Sequence, residues 1–271
     1  MDITQYDENT QFEVTVPEKI SDWVNLIIEL TAVIMWLYGT AGAGKSAMAR
    51  AMAELLESRE QLLATFFFSR SDPSRNHIKS IIATLAYNIT LSVPDSRPLI
   101  AATIERDPHI FHRPFVCQLK KLVFEPLQQL SLQGVPCPTV VIIDGLDECL
   151  NHDERKILLR AISIATAQYS APLKFVITSR PEVSIARIFN ATPVNEVCTQ
   201  HSLDNEPDSI RDMPYFTIST NCSRSVTCDL RCSLGQVFIA DKVVQIWQLF
   251  QRAGEDSGVL DCFGRNCGRD L

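Results

Sequence analysis

WLYGTAGAGKSAMARAMAE, residues 36–54, connects the end of an apolar run to a stretch of helical composition through a glycine-rich turn. Residues 32–38 (AVIMWLY) are apolar throughout, which is typical of a strand buried on both faces. Residues 45–58 are rich in alanine and other good helix formers, so they predict a helix. A buried strand that leads directly into a helix is the unit from which parallel α/β sheets are built.

The turn between them, Gly39–Ser46, has the sequence GTAGAGKS and matches the pattern G-x-x-x-x-G-K-[ST] in full. Its glycines let the backbone wrap around an anion, and the following helix adds the positive end of its dipole. In this pattern Lys45 reaches the β- and γ-phosphates, and the Ser46 hydroxyl coordinates Mg²⁺. The alternative, an accidental match, is disfavoured by the flanking strand and helix. We predict that nucleotide phosphates bind to Gly39, Thr40, Ala41, Gly42, Ala43, Gly44, Lys45 and Ser46.

Strands and helices alternate along the chain to about residue 200. Further apolar runs predict strands over Leu63–Phe68, Thr139–Ile143, Leu173–Thr178 and Val194–Cys198. Helices are predicted over residues 17–30, 45–58, 78–90, 115–132 and 153–166, with short helices over residues 94–114 and after Pro181. This alternation predicts an α/β fold: a doubly wound, mainly parallel five-stranded sheet of the P-loop NTPase type, followed by a poorly defined C-terminal tail.

Acidic residues follow the third apolar run in VVIIDGLDE, residues 140–148. Open α/β sheets bind ligands at the carboxyl ends of their strands. We therefore predict that Asp144 holds Mg²⁺ through water, and that Asp147 or Glu148 orients or deprotonates the attacking water. The sequence does not decide between the last two. In the alternative, Asp144 is a turn residue before Gly145, and the other two acids begin the next helix.

Polar residues also end the fourth apolar run, in FVITSRP (residues 175–181). Thr178, Ser179 or Arg180 could contact the γ-phosphate and report its presence. Arg180 is the strongest candidate for this catalytic role, because a guanidinium is always charged and makes forked contacts to phosphate. In the alternative, Arg180 pairs with a surface acid. Arg70 ends the second apolar run, where a solvated loop arginine is the favoured interpretation.

These motifs together resemble the NACHT class of signalling P-loop NTPases, within the STAND group, and especially its fungal members with nephrocystin-like NACHT domains. The resemblance covers about residues 15–212, and D-G-L-D-E (residues 144–148) is its most specific part. Its other carriers are WLYGTAGAGKSAMARAMAE (36–54), ATFFFSRSDPSRN (64–76), IKSIIATLAYNI (78–89) and FVITSRPE (175–182).

The resemblance implies a signalling switch that binds ATP or GTP with Mg²⁺, hydrolyses it slowly, and changes oligomerisation with nucleotide state. It implies that Lys45 and Ser46 hold phosphate and Mg²⁺, that Asp144 holds the metal, and that Asp147 or Glu148 holds the water. The phosphate-loop strand and the acidic strand would lie near each other in space. Family members usually continue into lid segments and sensor repeats, and neither is visible in this sequence. The alternatives are a non-hydrolysing nucleotide-binding interaction module or a fragment of a larger receptor. A metabolic kinase is disfavoured.

Composition limits the partners and the location. The 271 residues carry a net charge of -7, which gives no indication of a nucleic-acid binder. The acidic N-terminus lacks the apolar segment of a secretory signal. The apolar stretch over residues 23–38 is shorter than the roughly 20 residues of a membrane span. We expect a cytoplasmic protein that binds nucleotide and associates with proteins or with itself, with no membrane span and no nucleic acid.

Three segments are expected: an acidic N-terminal segment (1–14), the nucleotide-binding domain (15–212) and an unassigned tail (213–271). The spacing of the tail cysteines misses the C-x₂-C pairs of zinc sites, and disulfides are disfavoured in the cytosol. Val237–Phe250 could form a helix, and a truncated or wrongly predicted gene end explains the tail at least as well. Five of the nine cysteines lie in this tail: Cys222, Cys228, Cys232, Cys262 and Cys267.

Overall fold

The computed structural model describes residue 22 and residues 24–27, 32–169 and 173–204. Its five strands form one sheet in the order β2-β3-β4-β1-β5, and every pairing is parallel. The predicted five-stranded parallel sheet is therefore confirmed. The strands are β1 (Ile34–Tyr38), β2 (Leu62–Phe67), β3 (Val140–Asp144), β4 (Lys174–Ser179) and β5 (Cys198–Ser202).

Helices occupy every connection between consecutive strands. They are α1 (Lys45–Ser58), α2 (Ile81–Ser92), α3 (Arg97–Arg106), α4 (Phe115–Leu119), α5 (Glu125–Leu132), α6 (His152–Gln168) and α7 (Val183–Phe189). A π-helical segment, Lys120–Phe124, joins α4 to α5 just before Pro126, whose missing N–H interrupts the α-helical hydrogen bonding. Short 3₁₀ turns cover Ile78–Ser80, Pro94–Ser96, Ile110–His112, Leu146–Glu148 and Val194–Val197.

Both faces of the sheet are covered, as uniformly apolar strands require. In β1, Met35 and Leu37 pack in a core layer with α1 and residues 24–27. Ile34 and Trp36 point to the opposite face, where α2 to α7 build the larger core. This doubly wound arrangement of the P-loop NTPase type places the N-terminus of α1 at the carboxyl edge of the sheet.

The fifth strand lies later in the chain than the sequence predicts. Val194–Val197 form a 3₁₀ turn in which Val194 is buried in the larger core, and the strand runs from Cys198 to Ser202. Among the described strands, β5 pairs with β1 alone, and it carries mostly polar, partly exposed side chains. The prediction over Val194–Cys198 is therefore wrong, because a search for apolar runs finds the buried turn instead of the polar edge strand.

The remaining elements agree with the prediction within a few residues. Of the helix predicted over residues 17–30, residue 22 and residues 24–27 are described, and they are helical. The acidic segment 1–14 and residues 205–212 of the expected domain lie outside the described residues. So does the tail, with its five cysteines and the helix predicted over Val237–Phe250. Within the described part of the chain, no helix is long and apolar enough to cross a membrane.

The cysteines of the described domain are free thiols. Cys149 is buried, and Cys117, Cys137 and Cys198 are half-buried. Burial raises the pKa of Cys149 to about 11 and that of Cys198 to about 12. Both thiols are therefore protonated at neutral pH, which is typical of structural cysteines.

Candidate nucleotide-binding site

The predicted phosphate loop connects the carboxyl end of β1 to the first turn of α1. Gly42 and Gly44 have φ angles of +82° and +76°, a conformation that side chains disfavour. A Cβ atom on Gly39 would lie 2.9 Å from the Cβ of Ala43, closer than side chains approach in folded proteins. The loop therefore needs glycine at these positions, for backbone conformation at two of them and for space at the third.

The N-terminus of α1 presents backbone donors at this loop. The N–H of Met48 donates to the carbonyl of Gly44 at 2.8 Å, so the N–H groups of the preceding turn have no carbonyl partner within the helix. Among the described residues, no side chain caps this end of α1, and its first turn contains no acid. Unpaired N–H groups and the positive end of a helix dipole fit a phosphate group.

Lys45 folds back over the loop. Its Nζ atom donates hydrogen bonds to the carbonyls of Gly39 at 2.8 Å and Thr40 at 2.6 Å. Partial burial lowers the pKa of the Lys45 ammonium. This position over the loop is the one that a lysine needs to meet phosphate oxygens.

The charges at this edge of the sheet converge on Lys45. Asp147, Asp144 and Asp204 act to raise its pKa, whereas Arg180 acts to lower it. Three of these four residues were predicted as site residues from the ends of two different apolar runs. The sheet brings them together because the carboxyl ends of parallel strands share one edge.

Asp204, immediately beyond β5, anchors the loop from the other side. Its Oδ1 atom accepts hydrogen bonds from the backbone N–H of Thr40 at 2.9 Å and from the Thr40 hydroxyl at 2.8 Å. Sequence reasoning missed this residue, because its place beside the loop depends on the pairing of β5 with β1.

Asp144 is the last residue of β3 and is 5% exposed. Its Oδ1 atom accepts a hydrogen bond from the Thr178 hydroxyl at 2.5 Å, and that hydroxyl accepts one from the Gly145 N–H at 3.0 Å. Burial raises the pKa of Asp144, against the opposing effect of hydrogen bonds with Thr178 and Ser46. The predicted metal residues Ser46 and Asp144 therefore meet, although β4 lies between β1 and β3. A hydroxyl and a carboxylate are oxygen ligands that suit Mg²⁺.

Asp147 lies in the turn after β3 and pairs with Arg180. Its Oδ1 atom accepts the backbone N–H of Arg180 at 3.0 Å, and its Oδ2 atom lies 3.3 Å from the Arg180 Nε. The Asp147 side chain is 6% exposed and that of Arg180 is 55% exposed. Arg180 thus pairs with a buried acid of the site and not with a surface acid.

Glu148 is held by the end of β2. Its Oε2 atom accepts the backbone N–H of Arg70 at 2.9 Å, and the Arg70 guanidinium donates to the Asp147 carbonyl at 3.0 Å. Arg70 is exposed and lies in a loop, as predicted, and its guanidinium also supports the acidic turn through this hydrogen bond. In partial agreement with the alternative for the other two acids, Asp147 and Glu148 lie in a short 3₁₀ turn, Leu146–Glu148, which ends before α6 begins at His152.

Two other polar residues of β4 point into the protein. Thr178 and Ser179 are both 0% exposed. Thr178 contacts Asp144, whereas the Ser179 hydroxyl accepts a hydrogen bond from the Trp36 indole and donates one to the Arg180 carbonyl. Of the three residues predicted to contact a γ-phosphate, Arg180 is the one with an exposed charged group.

Sequence reasoning also missed Arg155, which is 3% exposed. Its guanidinium donates hydrogen bonds to the carbonyls of Asp147 and Cys149. No motif contains it. One signal was available: Arg155 shares the apolar face of α6 with Leu158 and Leu159, and a charge on an apolar face requires a partner.

The family profile described as Nephrocystin 3, N-terminal, matches residues 15–180, which is more than half of the chain and contains the phosphate loop and the acidic turn. No curated protein matches the chain. One matching solved chain comes from the structure of Drosophila ORC bound to GC-rich DNA and Cdc6. It has 13% identity and a TM-score of 0.41, and the match covers 69% of this chain and 27% of that chain. The present chain thus spans about a quarter of that solved chain's length. On the profile match, the chain belongs to the nephrocystin-3 N-terminal family and contains a NACHT-type nucleotide-binding P-loop domain.

Proposed function

We propose that this chain is a NACHT-type signalling switch in which residues 15–212 bind ATP or GTP with Mg²⁺ and hydrolyse it slowly. Its nucleotide state controls association with itself or with protein partners in the cytoplasm. The observation that carries the proposal is the phosphate loop itself, with Gly42 and Gly44 at positive φ and the Lys45 ammonium folded over it. The net charge of -7 supports protein partners over nucleic acid.

The phosphate loop supplies the binding energy in this proposal. The backbone from Gly39 to Ser46 surrounds the phosphates, and Lys45 exchanges its two carbonyl partners for phosphate oxygens. Ser46 and Asp144 hold Mg²⁺, which neutralises charge on the phosphates. The raised pKa of Asp144 supports this role, because a bound cation stabilises a buried carboxylate.

Hydrolysis requires a carboxylate that orients the attacking water, and we assign this role to Asp147 or Glu148. Arg180 contacts Asp147 through Nε at 3.3 Å, and the other two nitrogens of a guanidinium can donate to a phosphate at the same time. A γ-phosphate contact therefore joins the nucleotide to the Asp147 carboxylate through one side chain. In this way Arg180 reports the γ-phosphate to the acidic turn.

A non-hydrolysing interaction module, or a fragment of a larger receptor, is the second candidate. Both acids of the turn are already engaged, Asp147 with Arg180 and Glu148 with the Arg70 N–H. Such contacts favour this candidate, because a carboxylate that the protein already holds has fewer oxygen lone pairs left for an attacking water.

Calorimetry with Mg²⁺·ATP and Mg²⁺·GTP tests the proposal on the wild type, Lys45→Ala and the exposed-site control Lys156→Ala. We expect binding that Lys45→Ala abolishes and Lys156→Ala preserves. Phosphate release above the Lys45→Ala background supports the switch with hydrolysis, whereas binding without release favours the second candidate. Equal affinity of the wild type and Lys45→Ala would overturn both.

A further inference from the structure

The buried guanidinium of Arg155 donates four hydrogen bonds. Nε and Nη2 together make three of them, to the carbonyls of Cys149 at 2.9 and 2.6 Å and of Asp147 at 2.8 Å. Nη1 donates to the Glu182 carboxylate at 2.9 Å and lies 3.4 Å from the Nδ1 atom of His152. Such extensive pairing, on a side chain that is 3% exposed, indicates a specific role.

These contacts connect the ends of two strands. Asp147 and Cys149 belong to the acidic turn after β3, whereas Glu182 follows Arg180 and Pro181 at the end of β4. From the other side, the Oδ1 atom of Asp147 accepts the backbone N–H of Arg180. The contacts therefore close a ring, which we call the Arg155 ring: Asp147 side chain, backbone of residues 180–182, Arg155 guanidinium and Asp147 carbonyl. Pro181 stiffens the ring because its φ angle is fixed.

We propose that Arg155 is a positioning residue that fixes the Asp147 carboxylate against Arg180 and so sets the geometry for hydrolysis. Its role in hydrolysis rests on the proposed function. The contacts of Arg155 in the described part of the chain lie on the acidic turn, on His152 and on Glu182, and none of them joins the phosphate loop. Its loss therefore lowers kcat without lowering nucleotide affinity.

The conservative variant Arg155→Lys tests whether positioning depends on the hydrogen bonds of Arg155 or only on its positive charge. A lysine keeps the positive charge, but its single ammonium cannot make forked contacts in two directions. Glu182→Gln weakens the ring, because an amide oxygen accepts from Arg155 without a negative charge. The Glu182 side chain is 35% exposed, so this variant tests the proposal even where Arg155→Lys does not fold. Arg160→Lys, at an exposed position on the same helix, is the matched control.

Hydrogen exchange tests positioning independently of hydrolysis. In Arg155→Lys we expect the Arg180 amide to exchange about tenfold faster than in the wild type, with a smaller increase in Glu182→Gln. The Met48 amide in α1 keeps its wild-type rate in both variants, as do all amides in Arg160→Lys. Unchanged exchange at Arg180 would overturn the proposal, and so would an equal acceleration at Met48, which indicates a general loss of stability.

Steady-state phosphate release tests the link to hydrolysis. We expect Arg155→Lys to lower kcat about tenfold or more while KM stays within about twofold, because a misplaced catalytic group slows the chemical step. Arg160→Lys keeps wild-type values of both. A rise in KM with unchanged kcat would overturn the positioning role. In a wild type that binds but does not hydrolyse, the switch with hydrolysis fails, and the exchange measurement alone decides whether Arg155 positions Asp147.

Discussion

The indole Nε1 of Trp36 donates a 2.8 Å hydrogen bond to the Ser179 hydroxyl, and both side chains are buried. Trp36 lies in the strand that leads to the phosphate loop, and Ser179 ends the strand that leads to Arg180. The Ser179 hydroxyl donates in turn to the Arg180 carbonyl at 3.0 Å. One buried pair therefore connects the two strand ends whose charged residues meet at Lys45.

Ser179→Ala leaves the indole N–H of Trp36 buried without a partner. We expect a loss of about 1–3 kcal/mol in the free energy of unfolding, measured by urea denaturation. Trp36→Phe also destabilises the protein, through lost packing against Phe189. The double variant costs less than the sum of the two, since no unpaired donor remains. If the losses in the two single variants add up to the loss in the double variant, the hydrogen bond contributes nothing to the free energy of unfolding.

Gly42→Ala and Gly134→Ala form a matched pair. Their φ angles are +82° and +75°, and a Cβ at either position meets no atom within 4 Å. Both variants therefore carry a similar backbone strain of roughly 1–2 kcal/mol, measured as a lower free energy of unfolding. Gly42 alone belongs to the phosphate loop, so we expect Gly42→Ala to weaken nucleotide binding and Gly134→Ala to preserve it. Equal nucleotide affinity in the two variants would contradict the placement of the site.

Asp144→Asn is expected to raise the free energy of unfolding at neutral pH in the absence of nucleotide and Mg²⁺. Burial raises the pKa of Asp144 above its unfolded value of about 3.9, so the folded state prefers the protonated carboxyl. This preference stabilises the folded protein fully at a pH below the pKa that Asp144 has in the unfolded chain. The stabilisation is lost as the pH rises through the pKa that Asp144 has in the folded protein. Asparagine carries no charge at any pH, so the variant does not lose this stability.

Denaturation at a series of pH values measures the effect. The difference between Asp144→Asn and the wild type grows with pH above about 4 and then levels off. The same variant loses Mg²⁺-dependent nucleotide binding under the proposed function. A uniform destabilisation by Asp144→Asn at every pH would contradict the electrostatic explanation.

The sequence predicts those parts of the site that depend on residues close to one another in the chain. The phosphate loop is a contiguous motif between a strand and a helix, and Asp144 and Arg180 end apolar runs that sheet geometry brings to one edge. Asp204 escapes such reasoning because its partner Thr40 is distant in the chain, and Arg155 escapes it because its partners in the acidic turn are backbone carbonyls, which no motif encodes. Arg70 is an exposed loop arginine, as predicted, but its hydrogen bond to the Asp147 carbonyl was missed, since that bond depends on the adjacency of β2 and β3.

Strand boundaries were likewise predicted where a short stretch of sequence determines them. The apolar strands were predicted within two residues, because burial on both faces requires a continuous apolar run. β5 has a single neighbour among the described strands and a polar sequence, CTQHS. Its hydrogen bonding to β1, and not its side-chain hydrophobicity, makes it a strand.

The contact between Thr40 and Asp204 also has a mechanical consequence. β1 and β5 run in the same direction, paired from Ile34 and Cys198 to Tyr38 and Ser202. Asp204 follows the end of that pairing and binds Thr40 through a single carboxylate oxygen. A displacement of Asp204 is therefore passed to the Thr40 backbone, so a force on the end of β5 acts on the phosphate loop as well as on the strand pair.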